Sequence, residues 1–230
     1  MNTQTTSPEN TARILIINPN TNGNVTHSIR ELISSITPAG TITKVTSPAH
    51  GPYAIESEQH KKEATQHVLT LIEQHNAESF DGYIMACFDD IAIPEARAIT
   101  QAPVISLAEA GMRSAAASGD LFTVITTFEE AVPTIKKLSD AYGLSKRCRV
   151  VATGIGVSDT AAQTKQAEAR LHEAIQEAIR LESTAVVLGS GAFAGRATAL
   201  EKRYGIKISD GFAEALNYTL HNTQLHKAPN

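Results

Sequence analysis

The sequence predicts an α/β protein of two pseudo-symmetric lobes, each a parallel sheet wrapped by helices, with the functional site in the cleft between them. Three observations carry this. Short β-branched runs alternate with amphipathic helical stretches along the 230 residues, the pattern of repeated βαβ units. Most of the strand runs are apolar on both faces, as strands covered by helices on both sides must be. The two halves also repeat each other in the same order: RILIINPNT from Arg13 parallels LFTVITTFE from Leu121, YIMACFDD from Tyr83 parallels VVLGSGAFAG from Val186, and PVISLAEAG from Pro103 parallels IKISDGFAEA from Ile206. The matched pieces keep a near-constant spacing, so duplication explains them better than three separate strand–turn resemblances. In this register Cys87 falls opposite Ser190.

In chain order the expected strands are Arg13–Asn18, Ile42–Thr46, Gly82–Ala86, Val104–Leu107, Leu121–Thr126, Arg149–Ala152, Thr184–Gly189 and Ile206–Ser209. Helical stripes lie between them: Val25, Ile29, Leu32 and Ile33; then Val68, Leu71 and Ile72; then Leu171, Ile175, Ala178 and Ile179. The expected division is a first flavodoxin-like lobe of 13–105 plus 211–225 and a second of 106–210, with loosely ordered ends at 1–12 and 226–230. The polar stretch from His221 to Asn230 is read as part of the loose C-terminal end.

Composition narrows the function classes. Hydrophobic residues make up 42% and charged residues 19%, with no Trp, so Ala, Ile, Val and Leu must form the core. A net charge of -4 gives no surface for nucleic acid or an anionic membrane. No apolar run approaches the roughly 20 residues that span a bilayer, and the polar start MNTQTTSPENTA is unlike a signal peptide. Two cysteines, Cys87 and Cys148, are fewer than a secreted protein of this size tends to carry. The expectation is a cytoplasmic protein with a small-molecule substrate, no nucleic-acid or membrane partner, and a homo-oligomeric state from apolar helix faces.

Ligands of open α/β sheets bind beyond the carboxyl ends of the strands, which draws attention to four loops. Asn18-Pro19-Asn20-Thr21 offers either helix caps or donors to a carboxylate or imide oxygen. Cys87-Phe88-Asp89-Asp90 puts a thiol after a buried strand and before an expected helix, whose N-terminus favours the thiolate; the bland alternative is a buried structural Cys. Thr126-Thr127 mirrors the first loop, and Gly189-Ser190-Gly191-Ala192 mirrors the second, its small residues exposing backbone donors or simply packing tightly. Cys148, between Arg147 and Arg149, has no such loop and reads as structural. Gly154-Ile155-Gly156 lacks the rest of a dinucleotide loop, and no phosphate-binding GxxxxGK[ST] run exists. The eight His show no metal-ligand spacing; His60, His67 and His75 read as one solvated helix face.

With Asn18-Pro19-Asn20-Thr21, Ala86-Cys87-Phe88-Asp89-Asp90 and Val187-Leu188-Gly189-Ser190-Gly191-Ala192 in this order, the chain resembles hydantoin and allantoin racemases of the Asp/Glu racemase superfamily, alongside maleate isomerases and arylmalonate decarboxylases. The resemblance runs from about Arg13 to Leu220. It implies a site between two lobes with one Cys per lobe on opposite faces of the substrate carbon. One thiolate removes the α-proton and the other thiol returns a proton to the far face, without metal or organic cofactor. Cys87 matches the first cysteine, and the loops containing Asn18, Pro19, Asn20, Thr21, Phe88, Asp89, Thr126, Thr127, Gly189, Gly191 and Ala192 match the substrate-holding loops. The second cysteine's place is held by Ser190, whose hydroxyl is far less acidic than a thiol. Three outcomes stand open: a racemase or isomerase acting through proton transfer at a carbon beside a carbonyl; a single-thiol lyase, cis-trans isomerase or hydrolase with Cys87 as nucleophile; and a non-catalytic small-molecule binding protein.

Overall fold

The computed structural model describes residues 11–227, with side chains described through residue 223. Eight strands form among the described residues: β1 (Ala12–Ile17), β2 (Thr41–Thr46), β3 (Gly82–Met85), β4 (Val104–Ser106), β5 (Phe122–Thr126), β6 (Cys148–Ala152), β7 (Ala185–Leu188) and β8 (Lys207–Ser209). Each overlaps one of the eight expected runs. They pair in parallel into two four-stranded sheets of order β2-β1-β3-β4 and β6-β5-β7-β8, the same order twice, as the internal repeat implies. The helices are α1 (Gly23–Ile36), α2 (Glu58–His75), α3 (Ile93–Ile99), α4 (Leu107–Ala117), α5 (Val132–Ala141), α6 (Val157–Ala161), α7 (Lys165–Arg180), α8 (Ala197–Tyr204) and α9 (Phe212–Lys227).

Local chemistry starts several of these helices. Asn22, Ser57, Ser106 and Thr164 each turn a side-chain oxygen onto a backbone N–H of the first turn of α1, α2, α4 and α7. In α1, Val25, Ile29 and Ile33 are buried as the stripe predicts. In α7, Leu171, Ile175 and Ala178 are buried, while Ile179 turns outward and is 41% exposed. His60, His67 and His75 are half-buried rather than solvated; His75 Nδ1 lies 2.8 Å from the Leu71 carbonyl oxygen.

Alternation along the strands sorts the core into layers. Ile14 and Ile16 of β1, Val124 of β5 and Val187 of β7 face a shared core between the sheets. Leu15 and Ile17 face outward onto Val68 and Ile72 of α2, and Val186 and Leu188 onto Leu171 and Ile175 of α7. Helices α4 and α9 exchange sides. Although α4 follows β4, it packs on β7, β8 and β5; although α9 follows β8, it packs on β3, β4 and β1, and the two helices touch. The C-terminal helix therefore completes the first sheet. It extends to Lys227, so residues 226 and 227, expected in a loose end, are helical, as is the stretch from His221; Thr219 and Thr223 are buried against the sheet and anchor this part of the helix. Ala12, also expected in a loose end, opens β1. Residues 1–10 and 228–230 of the expected ends lie outside the described residues. Among the described residues, no helix is long and apolar enough to cross a membrane.

Docking of α9 on β3 leaves no room for a side chain at Gly82, where a Cβ would stand 2.4 Å from Thr219 Cγ2. Gly82→Ala should lower unfolding free energy by about 1–3 kcal/mol, read by urea denaturation, and Thr219→Ser in the same chain should recover part of the loss. Unchanged stability in Gly82→Ala would contradict this packing.

Candidate active site

In each sheet the chain order reverses between the two central strands, and the loops that leave there open a crevice beyond the carboxyl ends. In the first lobe these loops follow β1 and β3, and in the second they follow β5 and β7. Just past each switch point a backbone bond recurs: Ala86 N donates to Ile17 O at 2.9 Å, and Gly189 N donates to Ile125 O at 2.7 Å. Cys87 and Ser190 are the next residues, so they stand at matching places in the two lobes. Both line one cavity between the lobes, together with Asn20, Phe88, Asp89, Thr126, Thr127, Gly189, Gly191 and Ala192.

Asn18, Pro19 and Thr21 are not among the cavity-lining residues. Asn18 stands behind Asn20: its Nδ2 donates to Asn20 Oδ1 at 2.9 Å and to Thr26 Oγ1 at 3.0 Å. Thr21 ties its N–H to the Pro52 carbonyl oxygen at 3.0 Å. The cap of α1 is Asn22, whose Oδ1 accepts the Asn24 N–H at 3.0 Å, and neither Asn20 nor Thr21 takes that place. Asn20 lines the cavity while its Oδ1 accepts from Asn18 Nδ2 at 2.9 Å and from the Asn22 N–H at 3.0 Å. The glycines of the fourth loop are demanded by packing. A Cβ on Gly189 would stand 2.5 Å from Val124 Cγ1, and one on Gly191 would stand 3.0 Å from Ala86 O of the other lobe.

The turn after Cys87 differs from the expected helix start. Phe88 through Ala92 form turns, and α3 begins only at Ile93. Two non-glycine residues there adopt left-handed conformations, Asp90 at φ 50° and Ala92 at φ 60°, a strained arrangement typical of functional loops. Without a helix end aimed at it, the Cys87 thiol is pushed well above its ordinary range, first by burial and then by the Asp89 charge; the Asp89 N–H and the Lys61 cation oppose this. Asp89 is itself raised by burial, with Lys61 acting against the shift. Lys61 Nζ is 3.7 Å from Asp89 Oδ1, 3.0 Å from Glu58 Oε1 and 2.9 Å from Thr134 Oγ1 of the second lobe. Ser190 caps a short 3-10 turn (Gly191–Phe193), its Oγ accepting the Ala192 N–H at 3.2 Å, which leaves its own hydrogen available for donation. Cys148 lies on β6, its thiol pushed up to about 11 by burial, and does not line the cavity.

The apolar wall was not foreseen from the sequence: Ile55, Phe128, Ala131, Ile135 and Val157. They sit in loops and on α5 and α6, where a hydrophobic residue carries no local sign of the cavity it will line. Glu56 closes the rim, its Oε1 accepting the Val157 N–H from the opposite lobe at 2.9 Å. The cavity volume is about 40 Å³, above the ~10–15 Å³ that a single water needs and tight for a ring-sized ligand. Among the described residues, no group of three His, Cys, Asp or Glu is placed to hold a metal ion.

A family model described as Asp/Glu/Hydantoin racemase matches residues 14–219. The chain is 30% identical over 205 residues to a hydantoin racemase of Rhizobium meliloti, spanning 88% of this chain and 85% of that protein. Among solved structures it is similar to allantoin racemase from Klebsiella pneumoniae, with TM-score 0.89, 28% identity and coverage of 95% of this chain and 90% of that one. It is also similar to allantoin racemase from Pseudomonas fluorescens, with TM-score 0.88, 25% identity and coverage of 95% and 93%.

The electrostatics of Cys87 have a direct readout. Its alkylation by iodoacetamide, followed by site-resolved mass spectrometry, should still accelerate above about pH 8.5, the ordinary thiol value. Asp89→Asn should speed labelling at neutral pH, because it removes a charge that opposes the thiolate. A rate that levels off below that pH would contradict the assignment.

Proposed function

The chain belongs to the Asp/Glu/hydantoin racemase family and is an enzyme of the racemase type, and from that premise we propose that it acts by proton transfer at a carbon beside a carbonyl in a hydantoin- or allantoin-like cyclic ureide, through Cys87. The observation that carries this reading is the meeting of Cys87 and Ser190, from matching places in two lobes, across one cavity. A planar enolate held between them presents one face to each.

The roles follow from the acidities. The Cys87 thiolate takes the α-proton, becoming the thiol, and the substrate becomes an enolate. Small polar groups around the cavity (Asn20, Thr126, Thr127 and the backbone N–H groups of Ser190 and Gly191) stabilise the developing oxyanion. Ser190 relays a proton to the opposite face, taking one from a water or a neighbouring donor as it gives its own, so that no alkoxide is left. In the reverse direction Ser190 is a poor base, because a hydroxyl is far less acidic than a thiol. The half-buried thiol begins protonated, so ionisation of Cys87 accompanies substrate binding, where Lys61 is the neighbouring cation that favours it. The two faces are therefore unequal: removal and return of the proton on the Cys87 side is faster than inversion.

Loss of the second thiol also favours a second reading, in which Cys87 bonds to an electrophilic substrate carbon. A substrate-dependent mass increase on Cys87 in trapped enzyme belongs to this reading alone.

Incubation of each enantiomer of a 5-substituted hydantoin and of allantoin in deuterium oxide separates the possibilities. Expected is deuterium entry into one enantiomer with retention, ahead of racemisation. Cys87→Ala should lower that exchange by about a hundredfold or more, and Ser190→Cys should accelerate inversion. Inversion that keeps pace with exchange in the unaltered protein would overturn the inequality of the two faces. Absence of exchange with every such substrate would remove the proton-transfer reading.

A further inference from the structure

Asp90 takes no part in the steps above, yet its carboxyl group is tied on both oxygens. Ser106 Oγ donates to Oδ1 and Tyr142 OH donates to Oδ2. Ser106 ends β4 and caps α4, accepting the Glu109 N–H at 3.0 Å, and its Oγ lies 3.3 Å from Tyr142 OH. Tyr142 follows α5 directly, at the C-terminal cap of that helix, and Arg113 of α4 stands over its ring at 6.0 Å. One half-buried carboxyl group thus joins three elements: the turn that carries Cys87, the head of the helix that crosses between the lobes, and the end of α5, whose Ile135 lines the cavity.

The arrangement has no counterpart after Ser190. Asp90 is three residues past Cys87, and the residue three past Ser190 is Phe193, a buried apolar side chain. Asp90 is also one of the two left-handed residues of the turn. Such a bend persists only where its surroundings over-determine it, and two hydrogen bonds to a carboxylate are among the stronger constraints available.

We propose that Asp90, together with Tyr142, is a positioning residue for Cys87: the hydrogen-bonded pair holds the Cys87 turn in its left-handed bend and docks it on α5, fixing where the sulfur stands in the cavity. The inference rests on the reading of Cys87 as the reacting group. Removing the Tyr142 hydroxyl leaves a half-buried carboxylate oxygen without its donor, and the turn relaxes away from α5.

The test uses the full chain with Tyr142→Phe, Asp90→Asn and both changes together. Tyr142→Phe keeps the ring in place and the Asp90 charge intact, so it remains informative if Asp90→Asn folds poorly. Each single variant should lower kcat by about tenfold with KM nearly unchanged, the size expected for one charged hydrogen bond. Each should also speed iodoacetamide labelling of Cys87 several-fold while labelling of Cys148 stays constant. The double variant should be no worse than the weaker single, because both changes break one bond. Unchanged Cys87 labelling in Tyr142→Phe, or losses in kcat that multiply in the double variant, would overturn the proposal. If the unaltered protein racemises none of the substrates tried, the functional reading falls, and the labelling rates still decide whether Asp90 and Tyr142 place the sulfur.

Discussion

Ile14 and Ile16 of β1, Val124 of β5 and Val187 of β7 are buried in one core that belongs to neither sheet alone, along with Met112 of α4 and Leu216 of α9. A sheet must cover both apolar faces, and here the second face of each is covered by the other lobe and by the exchanged helices. Full burial of each Val, Leu or Ile side chain contributes roughly 1.5–3 kcal/mol, against about 1 kcal/mol for a typical hydrogen bond. Apolar packing therefore decides how the lobes sit, and polar ties such as Glu56 to Val157 adjust the rim. Because α4 starts from one sheet and packs on the other, and α9 does the reverse, the two switch points are held toward the same cavity.

That closeness has a chemical consequence. Burial that would strengthen electrostatic contacts with a charged ligand in the cavity also disfavours the Cys87 thiolate. Asp89 adds to the difficulty and Lys61 relieves it, so the ionisation of Cys87 depends on a balance of two opposite charges within a few ångströms of each other. On the far side Ser190 carries a neutral hydroxyl, whose Oγ accepts the Ala192 N–H. The two lobes match in backbone and differ in chemistry: Cys-Phe-Asp-Asp in one, Ser-Gly-Ala-Phe in the other. The small residues of the second loop let Gly191 come against the Ala86 carbonyl, while the charged residues of the first loop reach outward to Lys61, Ser106 and Tyr142.

Much of this was legible in the sequence. All eight strand positions followed from β-branched runs apolar on both faces, because burial on two sides leaves a local mark. The pairing of Cys87 with Ser190 followed from the internal repeat, and most of the loop residues named from strand ends do line the cavity. Asn18 and Thr21 carried the same polar signal as Asn20 but spend it on loop bonds, since neighbouring residues on a turn point in different directions. The turn after Cys87 resembled a helix start until the positive φ values of Asp90 and Ala92 delayed α3. Polarity suggested a loose end from His221 on, although buried Thr219 and Thr223 carry α9 along the first sheet.

The sequence by itself determined the strand order along the chain, the duplication, and the thiol and hydroxyl that line one cavity, because periodicity and repetition are properties of neighbouring residues. Only the tertiary structure decided that Ile55 and Val157 roof the cavity, that Asp89 turns toward Lys61 while Asp90 turns toward Tyr142, and that the thiol is hard to ionise. Those outcomes depend on contacts between residues tens of positions apart and on how much water their packing excludes, which no local pattern of residues encodes.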